Sequence, residues 1–141
     1  MILTDANILM YAAGAEHLNK APSVAFLNRV AAGEVAATID AEVFQEVLHR
    51  YRALHRWADG QRVFDLARKL FPEVLAITGE VMDEARHILA ADATLTARDA
   101  VHAAVVIVYR LEGICSFDAD FDRIAGCPRL TLTTAISRHS D

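Results

Sequence analysis

The sequence contains few of the residues that build disulfide frameworks, zinc sites or flexible linkers. Its 141 residues include two cysteines, three prolines and six glycines. Cys115 and Cys127 belong to no C-x-x-C pair and to no Cys/His set, which excludes a zinc finger and predicts reduced thiols in a cytoplasmic protein. Because the chain also has no internal repeat and no Gly-, Ser- or Pro-rich linker, we expect a single domain over residues 1–141.

Positive charge and long apolar runs are scarce as well. Lys and Arg number 14 against 19 Asp and Glu, which gives a net charge of −5. Binding to nucleic acid would therefore need a local basic patch or bound cations that reverse the field. The uncharged stretch at residues 100–109 is about half the length of a membrane-spanning helix, so no membrane association is expected. Asp5 interrupts the apolar start of the chain, which argues against a signal peptide.

Apolar residues make up 54% of the chain and form short runs that alternate with longer amphipathic segments. The short runs predict strands at residues 1–4, 35–38, 74–77, 114–117 and 130–132. Helical spacing predicts helices at residues 8–12, 23–32 and 59–71. Three longer helices are expected to follow the capping residues Asp40, Thr78 and Thr96 and to end near residues 55, 89 and 111. Residues 118–124 are expected to form a loop or a single helical turn.

This alternation of strands and helices predicts an α/β fold. Parallel neighbouring strands need right-handed crossover connections, and these place helices on both faces of the sheet. We therefore expect a three-layer α/β/α sandwich with a central parallel sheet of four to five strands. In such sheets ligands bind beyond the carboxyl ends of the strands, where the strand order switches.

Acidic residues fall at places from which they can reach that edge. Asp5 and Asp118 each follow a predicted strand, and Asp99 opens a helix that is apolar on nearly all sides. Each could instead be a turn residue or a helix cap. On the helix after Asp40, Glu46 lies nearer the apolar stripe than Glu42 does, so we favour Glu46 as the helix-borne acid.

If Asp5, Glu46, Asp99 and Asp118 converge, their charges require a cation between them. Oxygen ligands select hard divalent ions, so Mg²⁺ or Mn²⁺ is expected. His102 is interpreted as a hydrogen-bonded core histidine rather than as a ligand. The segment SFDADFD does not fit a calcium-binding EF-hand loop, but it leaves open a phosphatase of the haloacid dehalogenase kind that would use Asp118 and Asp120.

Four segments together resemble the PIN-domain family, particularly the VapC-like toxins of toxin-antitoxin pairs: LTDANILMYA, QEVLHRY, RDAVHAA and ICSFDADFD. The resemblance implies a metal-dependent endoribonuclease of PIN-like fold. It also implies that an acidic quartet holds Mg²⁺ or Mn²⁺, and by position this quartet is Asp5, Glu46, Asp99 and Asp118. Ala6 departs from the family, in which Thr or Ser is common at this position.

The resemblance assigns further residues and partners. It implies that Asn7 and Ser116 orient the first and last acids, and that Asp120 is an additional acid. It also implies a homodimer and a small antitoxin protein, for which the candidate contacts are Tyr11, Trp57 and Phe64. A PIN module that has lost catalysis and only binds protein is the alternative.

Basic residues near these acids suggest how RNA could be held. Arg50 and Arg52 follow Glu46 within a short basic segment, and Arg98 precedes Asp99, so the three arginines could form a cationic lip beside the acids. A solvated helix face is an equally good interpretation of the same charges.

Overall fold

The structure is a computed structural model that describes the backbone of residues 1–138 and the side chains of residues 1–136. Its strands are Ile2–Thr4 (β1), Ala37–Asp40 (β2), Val74–Leu75 (β3), Ile114–Cys115 (β4) and Arg129–Leu130 (β5). Its helices are Ala6–Ala13 (α1), Lys20–Ala31 (α2), Ala41–Ala53 (α3), Trp57–Leu70 (α4), Gly79–Ala91 (α5), Ala97–Val108 (α6) and Leu132–Arg138 (α7), with a 3-10 helix at Ala119–Arg123.

The five strands form one parallel sheet in the order β3-β2-β1-β4-β5. The central strand β1 is buried along its whole length, as a strand covered on both faces should be. From β1 the chain moves outward through β2 to β3 and then returns to place β4 on the other side of β1. The strand order therefore switches between β1 and β4, and the crevice beyond their carboxyl ends is where ligands of such sheets bind.

Helices cover both faces of the sheet, so the predicted three-layer α/β/α sandwich is confirmed. Successive residues of β1 point to opposite faces, and Ile2 belongs to the apolar cluster that contains residues of α1, α2, α3, α4 and α7. Leu3 faces the other way and belongs to a second cluster, which contains residues of α5 and α6. Two helices, rather than one, separate β1 from β2, β2 from β3 and β3 from β4.

Local capping chemistry explains where the main helices begin. Asp40, Thr78 and Thr96 accept hydrogen bonds from the backbone N–H of Val43 (3.1 Å), Val81 (3.2 Å) and Asp99 (3.2 Å), respectively, as the sequence predicted. Gly33 has a φ of +76° and ends α2, where an L side chain would be strained.

The structure corrects several predicted boundaries. Helix α1 begins at Ala6 rather than residue 8 because Asp5 accepts the Ala6 N–H. Helix α3 ends at Ala53, before His55, whose φ is +56°. The last strand stops at Leu130 instead of 132 because the Thr131 hydroxyl accepts the Thr134 N–H and starts α7, a helix that the sequence did not predict. No helix within residues 1–138 is long and apolar enough to cross a membrane.

Candidate active site

Asp5 occupies the switch point of the sheet, directly after β1. Its backbone N–H donates to the Cys115 carbonyl at 3.0 Å, which ties it to the end of β4. One carboxylate oxygen accepts from the Ala6 N–H at 2.7 Å, and the other accepts from the Ser116 hydroxyl at 2.5 Å. Only 6% of the residue is exposed. The Asp5 carboxylate is therefore fixed by hydrogen bonds from both neighbouring segments.

Ser116 connects Asp5 to the segment that follows β4. Besides donating to Asp5, the Ser116 Oγ accepts from the Asn7 side-chain amide at 3.2 Å and from the Asp118 N–H at 3.0 Å. The Asn7 Oδ1 is shielded from solvent and has no hydrogen-bond partner among the described residues. Ser116 therefore links Asp5 to the backbone of Asp118, and Asn7 contacts Ser116 from the first turn of α1.

Glu46 is held by a buried histidine. His102 Nε2 lies 2.8 Å from Glu46 Oε1 and 3.9 Å from Asp5 Oδ1, while its Nδ1 lies 2.7 Å from Asp40 Oδ2. His102 and Asp40 are completely buried. Burial lowers the pKa of His102, but the Asp40 and Glu46 carboxylates outweigh it and raise this pKa well above its ordinary value. The carboxylates around the His102 ring therefore favour its protonated form.

A second group of carboxylates lies on the other side of the site. Asp99, in the first turn of α6, Asp118 and Asp120 each offer an oxygen, and these oxygens lie within 4.8 Å of one another. Asp118 Oδ1 accepts the Asp120 N–H at 2.9 Å, and Asp120 accepts from Arg123 at 2.9 Å. Burial and the neighbouring Asp118 charge raise the pKa of Asp99. The like charges of these acids repel one another, so a cation between them would stabilise the group.

Both groups line one cleft of about 550 Å³ at the carboxyl edge of the sheet. Its acidic lining consists of Asp5, Glu46, Asp99, Asp118 and Asp120. Its basic lining consists of Arg50, Arg56 and Arg98. The apolar part of the lining consists of Met10, Tyr11, Tyr51 and Leu54. The cleft therefore combines acidic, basic and apolar side chains in one lining.

The donor set fits a hard divalent ion. Burial raises the pKa of Asp5 to about 6, against the attraction of His102 and with repulsion from Glu46, so ionised Asp5 lacks sufficient counter-charge. Asp5 and Glu46 each offer a carboxylate oxygen, and these oxygens lie within 4.8 Å of each other, whereas both ring nitrogens of the neighbouring His102 are engaged by Asp40 and Glu46. Carboxylate oxygens predominate in both groups, which suits Mg²⁺ or Mn²⁺ better than zinc.

The structure brings the four acids of the predicted quartet into this one cleft. Glu46 rather than Glu42 is the helix-borne acid that lines it; Glu42 lies one turn earlier, is only partly buried and is outside the lining. Asp120 joins Asp99 and Asp118 in the second group. Two of the three predicted RNA-binding arginines, Arg50 and Arg98, are in the lining.

Arg52, the third predicted arginine, lies elsewhere. Its guanidinium sits 4.3 Å from the centre of the Trp57 ring, in a separate groove of about 460 Å³ along α3 and the start of α4. Arg50 and Arg52 are two residues apart on α3, so they point in directions about 200° apart, and only one of them can face the cleft.

The three aromatic residues proposed as antitoxin contacts have different surroundings. Tyr11 lines the cleft and packs edge-on against Phe117, with ring centres 5.3 Å apart. Phe64 is half-buried against Phe44 at 4.4 Å. Trp57 is 37% exposed beneath Arg52.

Sequence reasoning missed the part that Asp40 and His102 play in the site. Asp40 was expected only as a helix cap, which it is, but its second oxygen bonds His102. The core-histidine interpretation of His102 is correct as to burial, yet both of its partners are acids of the site region. The sequence feature that could have indicated a role in the site is the position of His102 three residues after Asp99, because side chains three residues apart are neighbours on a helix surface.

Comparison with known proteins gives the family. The family model described as PIN domain matches residues 2–126. The chain belongs to the PIN-domain family. It is 40% identical over 130 residues to a VapC ribonuclease of Mycobacterium bovis and, equally, to ribonuclease VapC13 of Mycobacterium tuberculosis, covering 92% of this chain and 99% of each relative. The fold of the PIN domain is shared with a chain of a toxin-antitoxin complex from Klebsiella pneumoniae, with a TM-score of 0.68, 20% identity, and coverage of 94% of this chain and 98% of that chain.

Membership of the PIN-domain family decides between a PIN domain and a phosphatase of the haloacid dehalogenase kind. The matched region of the PIN domain carries both acid groups, from Asp5 to Asp120, and the identity to VapC ribonucleases extends over nearly all of the chain. The phosphatase of the haloacid dehalogenase kind, which rested only on Asp118 and Asp120, is therefore not supported. The predicted resemblance to VapC-like proteins is confirmed.

Proposed function

We propose that this PIN domain is a divalent-metal-dependent endoribonuclease and the toxin of a toxin-antitoxin pair. The observation that carries the proposal is the cleft, in which acids from four distant chain segments face one another at the switch point of a parallel sheet. The two VapC relatives that are named ribonucleases support RNA as the substrate.

The acids of both groups are the residues proposed to hold Mg²⁺ or Mn²⁺: Asp5, Glu46, Asp99 and Asp118, with Asp120 beside them. When bound, such an ion supplies Lewis-acid stabilisation of phosphoryl oxygens and lowers the pKa of an attacking water. The chain itself orients the carboxylates through the Ser116 and His102 hydrogen bonds. An ionised carboxylate beside the attacking water can also accept its proton.

The basic side of the cleft is proposed to hold the RNA. Arg50 and Arg98 line the cleft with the acids, and each can bond phosphate oxygens through its planar guanidinium. This local patch gives RNA a favourable approach to a protein whose net charge is −5. Arg56 also lines the cleft, and its guanidinium donates to Asp59 at 2.8 Å.

The decisive experiment is an RNA cleavage assay with Mg²⁺ or Mn²⁺ that compares the wild type with Asp5→Asn, Asp99→Asn and the control Asp83→Asn. Asp83 is an exposed acid on α5, outside the cleft. We expect the two cleft variants to lose at least about 100-fold in cleavage rate, as removal of groups that stabilise charge in a reaction does, while the control keeps its rate.

Two outcomes would contradict the proposal. Equal cleavage by all four proteins would mean that the acids are not catalytic. No metal-dependent cleavage by the wild type, together with tight binding of a partner protein, would favour the inactive protein-binding module instead.

The partners and compartment are part of the proposal. A toxin of this family implies a cognate antitoxin protein, and we also propose a homodimer in the cytoplasm. The two cysteines, Cys115 and Cys127, are free and buried, which agrees with a reducing compartment. Co-expression of the chain with the product of a neighbouring small gene, followed by size-exclusion chromatography with light scattering, tests both assemblies.

A further inference from the structure

We propose that His102 and Asp40 are positioning residues that hold Glu46 in the cleft and set the distance between the two helical layers at the site. This inference rests on the proposed function, because it concerns how one acid of the proposed metal site is held. It assigns to a buried histidine a role beyond filling the core.

The geometry joins three elements through one side chain. Asp40 is the last residue of β2 and caps α3, and Glu46 lies further along the same α3. His102 reaches them from α6, in the opposite helical layer. Its two ring nitrogens contact Asp40 at 2.7 Å and Glu46 at 2.8 Å. One imidazole ring thus links the beginning and the middle of α3 to α6.

The same helix α6 carries Asp99, the acid at the other side of the cleft. Asp99 lies in the first turn of α6 and His102 follows three residues later, so both side chains are fixed by one rigid element. The hydrogen bond between His102 and Glu46 therefore also fixes the position of Glu46 relative to Asp99. Among the described residues, the bond between His102 and Glu46 is the side-chain hydrogen bond that joins α6 to α3.

Asp40 adds rigidity because both of its oxygens are engaged. Oδ1 accepts the Val43 N–H at 3.1 Å and Oδ2 contacts His102. The Asp40 carboxylate and the imidazole are wholly removed from solvent, so neither can exchange its partner for water. Outer partners of this kind orient ligand side chains, and their removal typically weakens metal binding or activity by about 10-fold to 100-fold.

The test measures Mn²⁺ binding by isothermal titration calorimetry, together with kcat, KM and thermal melting, in wild type and four variants. His102→Leu removes both hydrogen bonds, His102→Gln can restore a donor to Glu46, and Asp40→Asn keeps an acceptor for the Val43 N–H. Val106→Ala is the control, since Val106 is a buried apolar residue of the same helix and is outside the lining of the cleft.

We expect the dissociation constant for Mn²⁺ to rise about 10-fold or more in His102→Leu, with a similar fall in kcat and little change in KM. His102→Gln should recover part of both losses, and Asp40→Asn should show an intermediate loss. Val106→Ala should melt at a lower temperature but bind Mn²⁺ as the wild type does. If His102→Leu does not fold, His102→Gln and Asp40→Asn carry the same comparison.

Folded His102 variants that bind Mn²⁺ as tightly as the wild type, or more tightly, would overturn the inference, because His102 would then be only a counter-charge. A His102 variant that loses no more Mn²⁺ affinity than Val106→Ala does, at the same melting temperature, would overturn the inference as well. Failure of the proposed function itself looks different, since the wild type would then neither bind Mn²⁺ nor cleave RNA.

Discussion

At the scale of single residues, Asp5 is held where its negative charge is costly. It is 6% exposed, and burial raises its pKa to about 6 from the ordinary 3.8. A carboxyl whose folded pKa lies above its unfolded pKa stabilises the fold at low pH, and this contribution is lost as the pH rises through the folded value. At neutral pH the ionised Asp5 therefore destabilises the metal-free protein.

This predicts that Asp5→Asn, for which we expect loss of cleavage, is more stable than the wild type when metal is removed. A difference of about two pKa units corresponds to about 3 kcal/mol at most, and the altered bond to Ser116 reduces the net gain to about 1 kcal/mol. In EDTA at pH 7.5 the variant should melt about 3 °C higher. The gain should shrink as the pH is lowered toward 5.

Thermal melting followed by circular dichroism over this pH range checks the prediction, with Asp83→Asn as the exposed control. An Asp5→Asn protein that melts below the wild type by the same interval at every pH would contradict it, because the buried charge would then make no contribution.

The residue scale also shows how far sequence reasoning reached into the site. Asp5 and Asp118 could be placed together because parallel strands end at the same edge, and this argument needs no side-chain detail. The choice of Glu46 over Glu42 followed from helix periodicity and agrees with the cleft. The pairing of His102 with Asp40 could not be predicted, since it depends on how α6 packs beside the end of β2, and no local pattern encodes that distance.

At the scale of elements, α6 carries three residues of the site region, Arg98, Asp99 and His102, on a helix that is buried from Ala100 to Val106. Its N-cap, Thr96, accepts the Asp99 N–H at 3.2 Å, so the cap fixes the backbone of the acid itself. We predict that Thr96→Ala lowers the free energy of unfolding by about 1 kcal/mol, the usual value of a lost cap. It should also weaken Mn²⁺ binding more than this loss of stability explains.

Denaturant unfolding and Mn²⁺ titration of Thr96→Ala, with Thr78→Ala as the matched control, separate the two effects. Thr78 caps α5, which carries none of the cleft acids, and it accepts the Val81 N–H at the same distance of 3.2 Å. The two variants should lose similar stability, and only Thr96→Ala should lose metal affinity. Equal metal affinity in both would show that the cap does not position Asp99.

The sequence pattern predicted the types of the helices and strands better than it predicted their first and last residues. The five strands, and all helices but α7, were expected from apolar runs and caps. Helix α7 was not expected because Thr131 can either continue a strand or cap a helix, and its contact with Thr134 decides for the cap. Helices α3 and α4, which both lie between β2 and β3, pack closely where Gly60 meets Tyr51; a Cβ on Gly60 would lie 2.6 Å from the Tyr51 Cβ.

At the scale of the whole molecule, the acids of the cleft couple metal binding to folding. Ions that bind the folded state alone stabilise it by mass action, and a concentration 100 times the dissociation constant adds about 2.7 kcal/mol. We predict that saturating Mn²⁺ raises the melting temperature by about 10 °C in wild type and Asp83→Asn. In Asp99→Asn the increase should be much smaller, and EDTA should reverse it. An equal increase in all three proteins would place the ion outside the cleft.

The charge distribution of the whole molecule sets how RNA is held. With a net charge of −5, long-range attraction to RNA is weak, so binding depends on the few cations of the cleft. We predict that log KM for single-stranded RNA rises with log salt, and that Arg50→Ala or Arg98→Ala each reduces the slope by about 0.7, the value for one phosphate contact. Arg52→Ala should leave the slope unchanged, because the Arg52 guanidinium lies over Trp57.

Measurements between about 50 and 200 mM KCl cover the range in which counterion release is visible. If Arg52→Ala reduced the slope as Arg50→Ala does, RNA would extend beyond the cleft along α3, and the basic segment would act as a whole rather than through its cleft-facing side.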